Sequence, residues 1–301
     1  MPRRTTLGLG CHEQYLAYGI RRKTARRFLI SVKSIAEAVS LNQKTNEPLT
    51  ENHLMSQRAD FKTKLFADGA DLAGIREMAA NPLIKGFTTN PTLMRKAGVT
   101  DYKTFALEVL KIVNNRPVSF EVFADDFSQM ELQALEIASW GKNVNVKIPV
   151  TNTKGQFSGA LIERLSKKGV QLNVTAILTL DQVQRVTERL APETPAIVSV
   201  FAGRIADTGR DPVPLMAEAV TLLKARPLAE LIWASPRELL NIFQAESIGC
   251  HIITATNDIL KKLVFVGKNL EGYSLETVEM FYKDAKAAGY TIETRERATA
   301  R

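Results

Sequence analysis

Short apolar segments rich in β-branched residues alternate with segments of helical periodicity over most of the chain, and this alternation restricts the fold more than any other feature. The apolar segments are residues 64–67, 84–88, 118–123, 144–150, 170–178, 196–202, 230–234 and 250–255. Helical periodicity is clearest at 127–140, 159–168, 180–190, 214–224, 237–245 and 256–266, and a last amphipathic segment covers 274–288. Strands that are apolar along their whole length and are separated by helices are typical of parallel sheets buried on both faces.

The number of these units favours a closed barrel. Eight strand–helix units between residues 61 and 301 fit a (β/α)8 TIM barrel. The alternative is an open, doubly wound sheet, but no G-x-G-x-x-G turn follows the first apolar segment. We therefore predict an α/β protein built as a (β/α)8 barrel with a C-terminal helix.

Residues 1–60 differ from the rest of the chain in composition. They carry +5 of the net charge of +8, with five basic residues between positions 21 and 27, and residues 41–60 are polar. An acid-poor, arginine-rich start is the composition of an organelle transit peptide, of a disordered arm or of a gene start placed too early, for which Met55 is the alternative start. We predict a basic, disordered extension over 1–60, with at most a short amphipathic helix at 28–40, and the barrel over 61–301.

The composition also excludes several classes of protein. Two cysteines and three histidines are too few and too scattered for a disulfide framework or a zinc site. Residues 61–301 carry a net charge of +3 without a basic stripe, so nucleic-acid binding through the basic extension is only an alternative. No segment approaches the roughly 18 consecutive apolar residues of a membrane helix. We predict a soluble, cytoplasmic protein that binds neither nucleic acid nor membrane.

Polar and ionisable residues stand at the ends of the predicted strands. In a (β/α)8 barrel the C-terminal ends of the strands meet at one mouth, where active sites are found. The strand-end residues, in chain order, are Asp68, Asn90, Glu121, Lys147, Asn173, Thr175, Ser199, Phe201, Arg204, Ser235 and Arg237. Seven consecutive strands therefore bring candidate functional groups to one cavity.

Lys147 lies in the apolar segment 144–150, where a lysine is rarely found without a partner or a function. Burial disfavours the charged ammonium form, and the neutral amine can attack a ketone to form an iminium. The structural alternative is a lysine at a strand end whose ammonium reaches solvent. We interpret Lys147 as a candidate nucleophile because the neighbouring strands also end in polar groups.

Asp68 and Glu121 end two other strands and are a candidate pair for proton transfer. The alternation of side chains along a strand places Glu121 on the face opposite Phe120 and Val122, towards the barrel axis. Each carboxylate has a plainer alternative. A strand-end acid often caps a helix or pairs with an arginine, and Asp68 precedes Gly69 at a turn.

Arg204, Ser235 and Arg237 are a candidate phosphate site, because guanidinium groups bind phosphate through paired hydrogen bonds and the last barrel loops commonly bind phosphate. The alternative for Arg204 is an ion pair with Asp207, three residues on. Four polar side chains are expected to hydrogen-bond sugar hydroxyls or an ordered water: Asn90, Asn173, Thr175 and Ser199. Phe201 is expected to form an apolar wall beside them. Core packing is expected at Trp233, Cys250 and His251.

The strand ends, in their order along the chain, resemble the transaldolase family. The matching pieces are Phe-Ala-Asp68, Thr-Thr-Asn90-Pro, Glu121-Val, Val-Lys147-Ile-Pro, Asn173-Val-Thr175, Ser199-Val-Phe201-Ala-Gly-Arg204-Ile and Ala-Ser235-Pro-Arg237. The resemblance extends from residue 64 to residue 290. It implies reversible transfer of a dihydroxyacetone unit between sedoheptulose 7-phosphate or fructose 6-phosphate and glyceraldehyde 3-phosphate or erythrose 4-phosphate, in the non-oxidative pentose phosphate pathway.

The resemblance also implies roles for these residues. Lys147 would form the Schiff base, Asp68 would take the proton of the C4 hydroxyl, and Glu121 would act through a water held by Thr175. The dihydroxyacetone unit would be bound by Asn90, Asn173 and Ser199, and the phosphate by Arg204, Ser235 and Arg237. No metal or organic cofactor is implied, and a homo-oligomer is expected.

The same family contains fructose-6-phosphate aldolases, which release free dihydroxyacetone. Those enzymes tend to have Gln at the position of Glu121 and Tyr at the position of Phe201. Both residues of this chain are similar to the transferase version, although its short core is similar to the aldolases. We expect a transaldolase, with the aldolase as the alternative.

Overall fold

A closed barrel of eight parallel strands is the centre of the fold, which the computed structural model describes for residues 61–292. The strands are β1 (Lys64–Asp68), β2 (Ile84–Thr88), β3 (Val118–Glu121), β4 (Val144–Pro149), β5 (Leu172–Ile177), β6 (Ala196–Val200), β7 (Ala229–Trp233) and β8 (Ile252–Thr256). They follow one another around the barrel in chain order, and β8 pairs with β1. The predicted (β/α)8 barrel is confirmed, and the doubly wound alternative is wrong.

Helices follow the strands and run from one strand end back to the start of the next. They are α1 (Leu72–Ala80), α2 (Pro91–Lys96), α3 (Tyr102–Val113), α4 (Phe127–Ser139), α5 (Gly159–Lys167), α6 (Leu180–Arg189), α7 (Ala202–Ala206), α8 (Pro212–Leu222), α9 (Leu240–Ser247) and α10 (Asn257–Lys261). Most begin at a side chain that accepts a backbone N–H of the first turn, as Asp126 does for α4 and Thr179 for α6. These caps fix where each strand-end loop gives way to a helix.

Some predicted boundaries differ from the observed ones for local reasons. The segment predicted as strand 196–202 ends at Val200, because α7 begins at Ala202. The helix predicted from residue 237 begins at Leu240, because the backbone N–H groups of Arg237 and Glu238 both donate to Oδ1 of Asn241 and form a turn before the helix.

The barrel interior below the mouth is apolar and tightly packed. A buried cluster joins Phe66, Ile197, Ile232, Ala234 and Ile252. The Phe66 ring also explains a glycine of β2, because a Cβ at residue 86 would lie 2.4 Å from that ring. Phe201, which follows β6, packs against this cluster.

A second compact unit begins at Leu263 and contains the last helix, α11 (Leu270–Ala287). Asn269 caps this helix by accepting the N–H of Gly272, and Lys268 pairs with Glu276 in the second turn of the helix. No helix among residues 61–292 is long and apolar enough to cross a membrane. The predicted extension over 1–60, its helix at 28–40 and the alternative start at Met55 lie outside the described residues.

Candidate active site

Lys147 is buried at the centre of the barrel mouth. Its side chain is only 8% exposed, although it carries an amine. The amine Nζ donates to the backbone oxygen of Thr89 at 2.9 Å and lies 3.1 Å from Oε2 of Glu121. The alternative that this lysine reaches solvent is wrong, because its amine is held by two acceptors inside the barrel.

Strand register brings Glu121 beside Lys147. The two residues are direct partners in the parallel pairing of β3 with β4, so their side chains project on the same face of the sheet. Glu121 is partly buried, with 18% of its side chain exposed. A carboxylate in this position is the nearest proton acceptor for the lysine ammonium. Glu121 therefore pairs with the candidate nucleophile and not with an arginine.

Asp68 lies at the end of β1, three strands from Lys147 around the barrel. Its Oδ1 accepts the hydroxyl of Thr88 at 2.7 Å, and the Thr88 oxygen lies 2.6 Å from the hydroxyl oxygen of Thr254. Because a hydroxyl has one hydrogen, Thr88 donates to Asp68 and Thr254 donates to Thr88. Three neighbouring strands, β8, β1 and β2, thus fix the position of this carboxyl group.

Burial raises the pKa of Asp68 above its ordinary value. The positive charge of Lys147 and the hydrogen bond from Thr88 act in the opposite direction, and the negative charge of Glu121 adds to the rise. An acid or base works best when its pKa lies close to the working pH. The environment therefore moves Asp68 towards the range in which a carboxyl group can both accept and return a proton.

A chain of buried hydrogen bonds crosses the mouth beside the lysine. Nδ2 of Asn173 donates to Oγ of Ser119 at 3.0 Å, and Oγ of Ser199 donates to Oδ1 of Asn173 at 2.7 Å. Asn173 is the strand partner of Lys147, and Thr175 lies two residues further along β5. The Thr175 hydroxyl is buried and has no hydrogen-bond partner among residues 61–292. It is thus a buried polar group suited to binding a water or a substrate hydroxyl.

Asn90 lies at the end of β2 and caps α2. Its Oδ1 accepts the backbone N–H of Leu93 at 3.0 Å, which holds the side chain in place. The amide Nδ2 group provides two further N–H donors. The capping bond fixes where those donors lie.

Arg237 is the arginine that pairs with Asp207. Its Nε donates to Oδ1 of Asp207 at 2.8 Å and its Nη2 donates to Oδ2, while Nη1 donates to Oγ of Ser235 at 3.0 Å. Arg204 lies over the ring of Phe201, with its guanidinium carbon 5.3 Å from the ring centre. The ion pair considered for Arg204 is therefore wrong, because Asp207 pairs with Arg237.

The loops after β6 and β7 touch at backbone level. Ser235 has a φ of 61°, in the left-handed region. A Cβ at position 203 would lie 1.6 Å from the carbonyl oxygen of Ser235, so only a glycine fits there. This close contact brings α7, which carries Arg204, beside the loop that carries Ser235 and Arg237. The three residues predicted to bind phosphate therefore lie in two adjoining segments of the chain.

Four residues near the site are absent from the sequence prediction: Thr88, Ser119, Thr254 and Tyr102. Alternation along the strands places Thr88 on the same face as Asn90, and Ser119 on the same face as Glu121. The same alternation predicts that Thr254 of β8 faces the barrel interior. Three of the four residues therefore have a signal in the sequence. Tyr102 begins α3, and its bonds to Glu121 have no signal in the sequence.

Of the three residues expected to pack in the core, Trp233 and Cys250 do so, whereas His251 is only partly buried. Trp233 and Cys250 are buried, and burial raises the pKa of the Cys250 thiol to about 12. Nδ1 of His251 accepts the backbone N–H of Leu231 at 3.0 Å, and burial lowers the pKa of this histidine. These side chains support the barrel wall away from the lysine.

A buried lysine held among carboxylates at the C-terminal mouth defines a (β/α)8-barrel enzyme with an amine as its candidate nucleophile. A family model described as Transaldolase/Fructose-6-phosphate aldolase matches residues 65–297. The chain belongs to this family.

Several curated relatives carry the name "Probable transaldolase". One from Dehalococcoides mccartyi is 34% identical over 202 residues, which is 67% of this chain and 90% of the relative. One from Thermoanaerobacter sp. is 34% identical over 230 residues, or 76% of this chain and all of the relative. One from Methanococcus maripaludis strain C7 is 35% identical over 201 residues, which is 66% of this chain and 89% of the relative. The similarity thus covers nearly the whole of each relative.

Proposed function

We propose that this enzyme is a transaldolase that moves a dihydroxyacetone unit from sedoheptulose 7-phosphate or fructose 6-phosphate to glyceraldehyde 3-phosphate or erythrose 4-phosphate, through a Schiff base on Lys147. The observation that carries the proposal is the position of the lysine amine. It is buried, it lies 3.1 Å from the Glu121 carboxylate, and its charge acts on the desolvated carboxyl group of Asp68. The names of the relatives support the same reaction.

Schiff-base formation begins with loss of a proton from the lysine ammonium, and Glu121, 3.1 Å from the amine, is proposed to accept it. The neutral amine then attacks the C2 carbonyl of the ketose to give a carbinolamine, which takes up a proton and loses water to give an iminium. Thr175 and Glu121 are proposed to hold the water through which these protons move. The unpaired, buried hydroxyl of Thr175 supports this role.

Asp68 is proposed to accept the proton of the C4 hydroxyl as the C3–C4 bond breaks. The electrons of that bond move into the iminium and form an enamine, while C4 becomes the carbonyl of the departing aldose phosphate. The enamine then attacks the acceptor aldehyde, Asp68 returns the proton, and water releases the new ketose from Lys147. The raised pKa of Asp68 suits a group that takes and returns one proton per cycle.

The remaining polar residues are proposed to bind the substrate at its two ends. Asn90, Asn173 and Ser199 lie near the lysine and bind the hydroxyls of the dihydroxyacetone unit. Arg204, Ser235 and Arg237 bind the phosphate. Since Asp207 already accepts two N–H groups of Arg237, Arg204 is the main cationic partner of the phosphate and Arg237 contributes less than a free guanidinium would.

The second candidate is a fructose-6-phosphate aldolase, since the family description names both activities. Glu121 and Phe201 favour the transferase, because the aldolases that this chain resembles tend to have Gln and Tyr there. We propose that the Glu121 carboxylate keeps the water relay working for transfer, so that the enamine stays on Lys147 until the acceptor aldehyde reacts with it. Glu121→Gln should then shift activity towards release of free dihydroxyacetone.

The test incubates the enzyme with fructose 6-phosphate, with and without erythrose 4-phosphate, and quantifies free dihydroxyacetone and sedoheptulose 7-phosphate. We expect sedoheptulose 7-phosphate to form only with the acceptor, and little free dihydroxyacetone without it. Glu121→Gln should raise the ratio of release to transfer, and the matched surface variant Glu163→Gln should leave it unchanged. Rapid release by the wild-type enzyme would favour the aldolase, and an unchanged ratio in Glu121→Gln would contradict the role given to Glu121.

A further inference from the structure

The hydroxyl of Tyr102 bonds to the backbone of Glu121 twice. It accepts the Glu121 N–H at 2.7 Å and donates to the Glu121 carbonyl oxygen at 3.1 Å. Tyr102 is the first residue of α3, in the stretch of chain between β2 and β3. A side chain from outside the barrel therefore contacts the main chain of a candidate catalytic residue.

These two bonds replace a missing strand contact. Strands β2 and β3 pair only at Phe87 with Val118 and at Thr88 with Ser119. On its other side β3 pairs with β4 along its whole length, as far as Glu121 with Lys147. In a parallel sheet the N–H and C=O of one residue point to the same neighbouring strand. Those of Glu121 point towards β2, which has already diverged, and the Tyr102 hydroxyl satisfies both.

Aromatic neighbours hold the tyrosine ring in place. Ring centres of Phe123, Trp140 and Phe120 lie 4.6, 5.4 and 6.1 Å from that of Tyr102. Burial raises the pKa of Tyr102, so its hydroxyl stays protonated at neutral pH and remains a donor. A rigid ring with a permanent hydroxyl proton can fix the end of β3 in one position.

We propose that Tyr102 is a positioning residue for Glu121, which keeps the Glu121 carboxylate at proton-transfer distance from Lys147. This inference rests on the proposed function, because it assigns Tyr102 to the proton step of Schiff-base formation. Without its two bonds the end of β3 is held on one side only, and the carboxylate can move relative to the lysine amine. Proton transfer depends on short, directed contacts, so a small displacement slows it.

The test is Tyr102→Phe, which keeps the ring and removes the hydroxyl. Single-turnover trapping with fructose 6-phosphate and borohydride measures the rate of adduct formation on Lys147. We expect this rate to fall by about 10- to 100-fold. The KM for fructose 6-phosphate should change much less than kcat, since the phosphate site lies on the loops after β6 and β7. The matched control Tyr282→Phe removes the hydroxyl of an exposed tyrosine of α11 and should keep the wild-type rate.

A double-mutant cycle separates positioning from general damage. If Tyr102 acts through the Glu121 carboxylate, Tyr102→Phe should change the rate by less than about twofold in a Glu121→Ala background. An equal fall in both backgrounds would mean a purely structural role and would overturn the inference. Circular dichroism at the assay temperature verifies that each variant is folded.

The two proposals fail in different ways. Wild-type enzyme that forms no adduct on Lys147 would contradict the proposed function and the role of Tyr102 with it. Wild-type enzyme that forms the adduct, beside a Tyr102→Phe variant that forms it at the same rate, would contradict only the role of Tyr102.

Discussion

The lysine end and the phosphate end of the candidate site are built differently. Lys147, Glu121 and Asp68 stand on strands, and their spacing follows from strand pairing and from buried hydrogen bonds. Arg204 stands in α7 and Arg237 in the loop after β7, both beyond the strand ends, and the Arg237 side chain is 45% exposed. One end is fixed by the barrel, and the other is arranged by contacts between the segments that follow β6 and β7.

This difference matches what each end is proposed to do. Proton transfer and carbonyl attack require donors and acceptors within hydrogen-bond distance, so groups on a rigid sheet are suited to them. A phosphate is a diffuse anion that can be bound by several donors, so partly exposed guanidiniums are sufficient. The lysine end should therefore be sensitive to the removal of single atoms, and the phosphate end should respond mainly to the loss of charge.

The largest effect is expected at the lysine end, from Asp68→Asn. The amide keeps the size of the carboxyl group but cannot accept the proton of the C4 hydroxyl. Steady-state kinetics with fructose 6-phosphate and erythrose 4-phosphate should show kcat lower by about 10²- to 10⁴-fold. Borohydride trapping of the Schiff base should persist, because Lys147 and Glu121 are intact.

Asp71→Asn is the matched control, since Asp71 is exposed, three residues away, and caps α1. It should leave kcat unchanged. If Asp68→Asn keeps more than about a tenth of the wild-type kcat, Asp68 is not the base of the cleavage step.

An intermediate effect is expected at the phosphate end, from Arg204→Gln. Arg204 forms no ion pair within residues 61–292 and lies over the Phe201 ring, so the N–H donors of its guanidinium are available to the phosphate. Loss of a charged hydrogen-bond donor should raise the KM for fructose 6-phosphate by about 10- to 100-fold, with little change in kcat. Steady-state kinetics with unphosphorylated fructose should show no such increase.

Arg237→Gln provides the comparison within this end of the site. Asp207 partly neutralises Arg237, and the pairing lowers the pKa of Asp207. The increase in KM should therefore be smaller for Arg237→Gln than for Arg204→Gln. The reverse order would show that Asp207 leaves Arg237 when phosphate binds, and the two ends would then differ less than proposed.

The smallest change in maximal rate is expected from Thr88→Val, which should be visible mainly in the pH profile. The hydrogen bond from Thr88 favours ionised Asp68, so its loss should raise the pKa of Asp68 further. Asp68 must be ionised to accept a proton. Activity on the acid side of the kcat/KM profile should therefore begin to fall at a higher pH than in the wild-type enzyme.

Thr187→Val is a suitable control for this variant. Thr187 is also buried, but its hydroxyl donates to the backbone of Val183 in α6, away from the site. The pH profile of this control should match the wild type. A Thr88→Val profile that moves to lower pH, or not at all, would contradict the electrostatic role of the hydrogen bond.

The lysine end was largely predictable from the sequence, because it depends on local patterns. Apolar runs with β-branched residues predicted the strands, and alternation along β3 predicted that Glu121 faces inwards. A lysine inside an apolar strand marked the centre of the site. Thr88 and Thr254 follow the same alternation, but a threonine is common in strands and does not by itself indicate a functional site.

The phosphate end was less predictable, because its contacts join distant parts of the chain. Arg204 and Arg237 are equally plausible partners for Asp207 from sequence, and only the packing of the loops decides between them. The turn before α9 depends on the side chain of Asn241. Tyr102 is a similar case. Its contact with Glu121 depends on the position at which β2 diverges from β3, and no single segment of the sequence specifies that position.

The most direct test of the central claim is reductive trapping on Lys147. Wild-type enzyme and Lys147→Ala are each incubated with fructose 6-phosphate and borohydride, and intact-mass and peptide mass spectrometry follow. We expect an adduct of the size of dihydroxyacetone on the Lys147 peptide of the wild-type enzyme and none on the variant. No adduct, or an adduct on a different lysine, would contradict the assignment of Lys147 as the nucleophile.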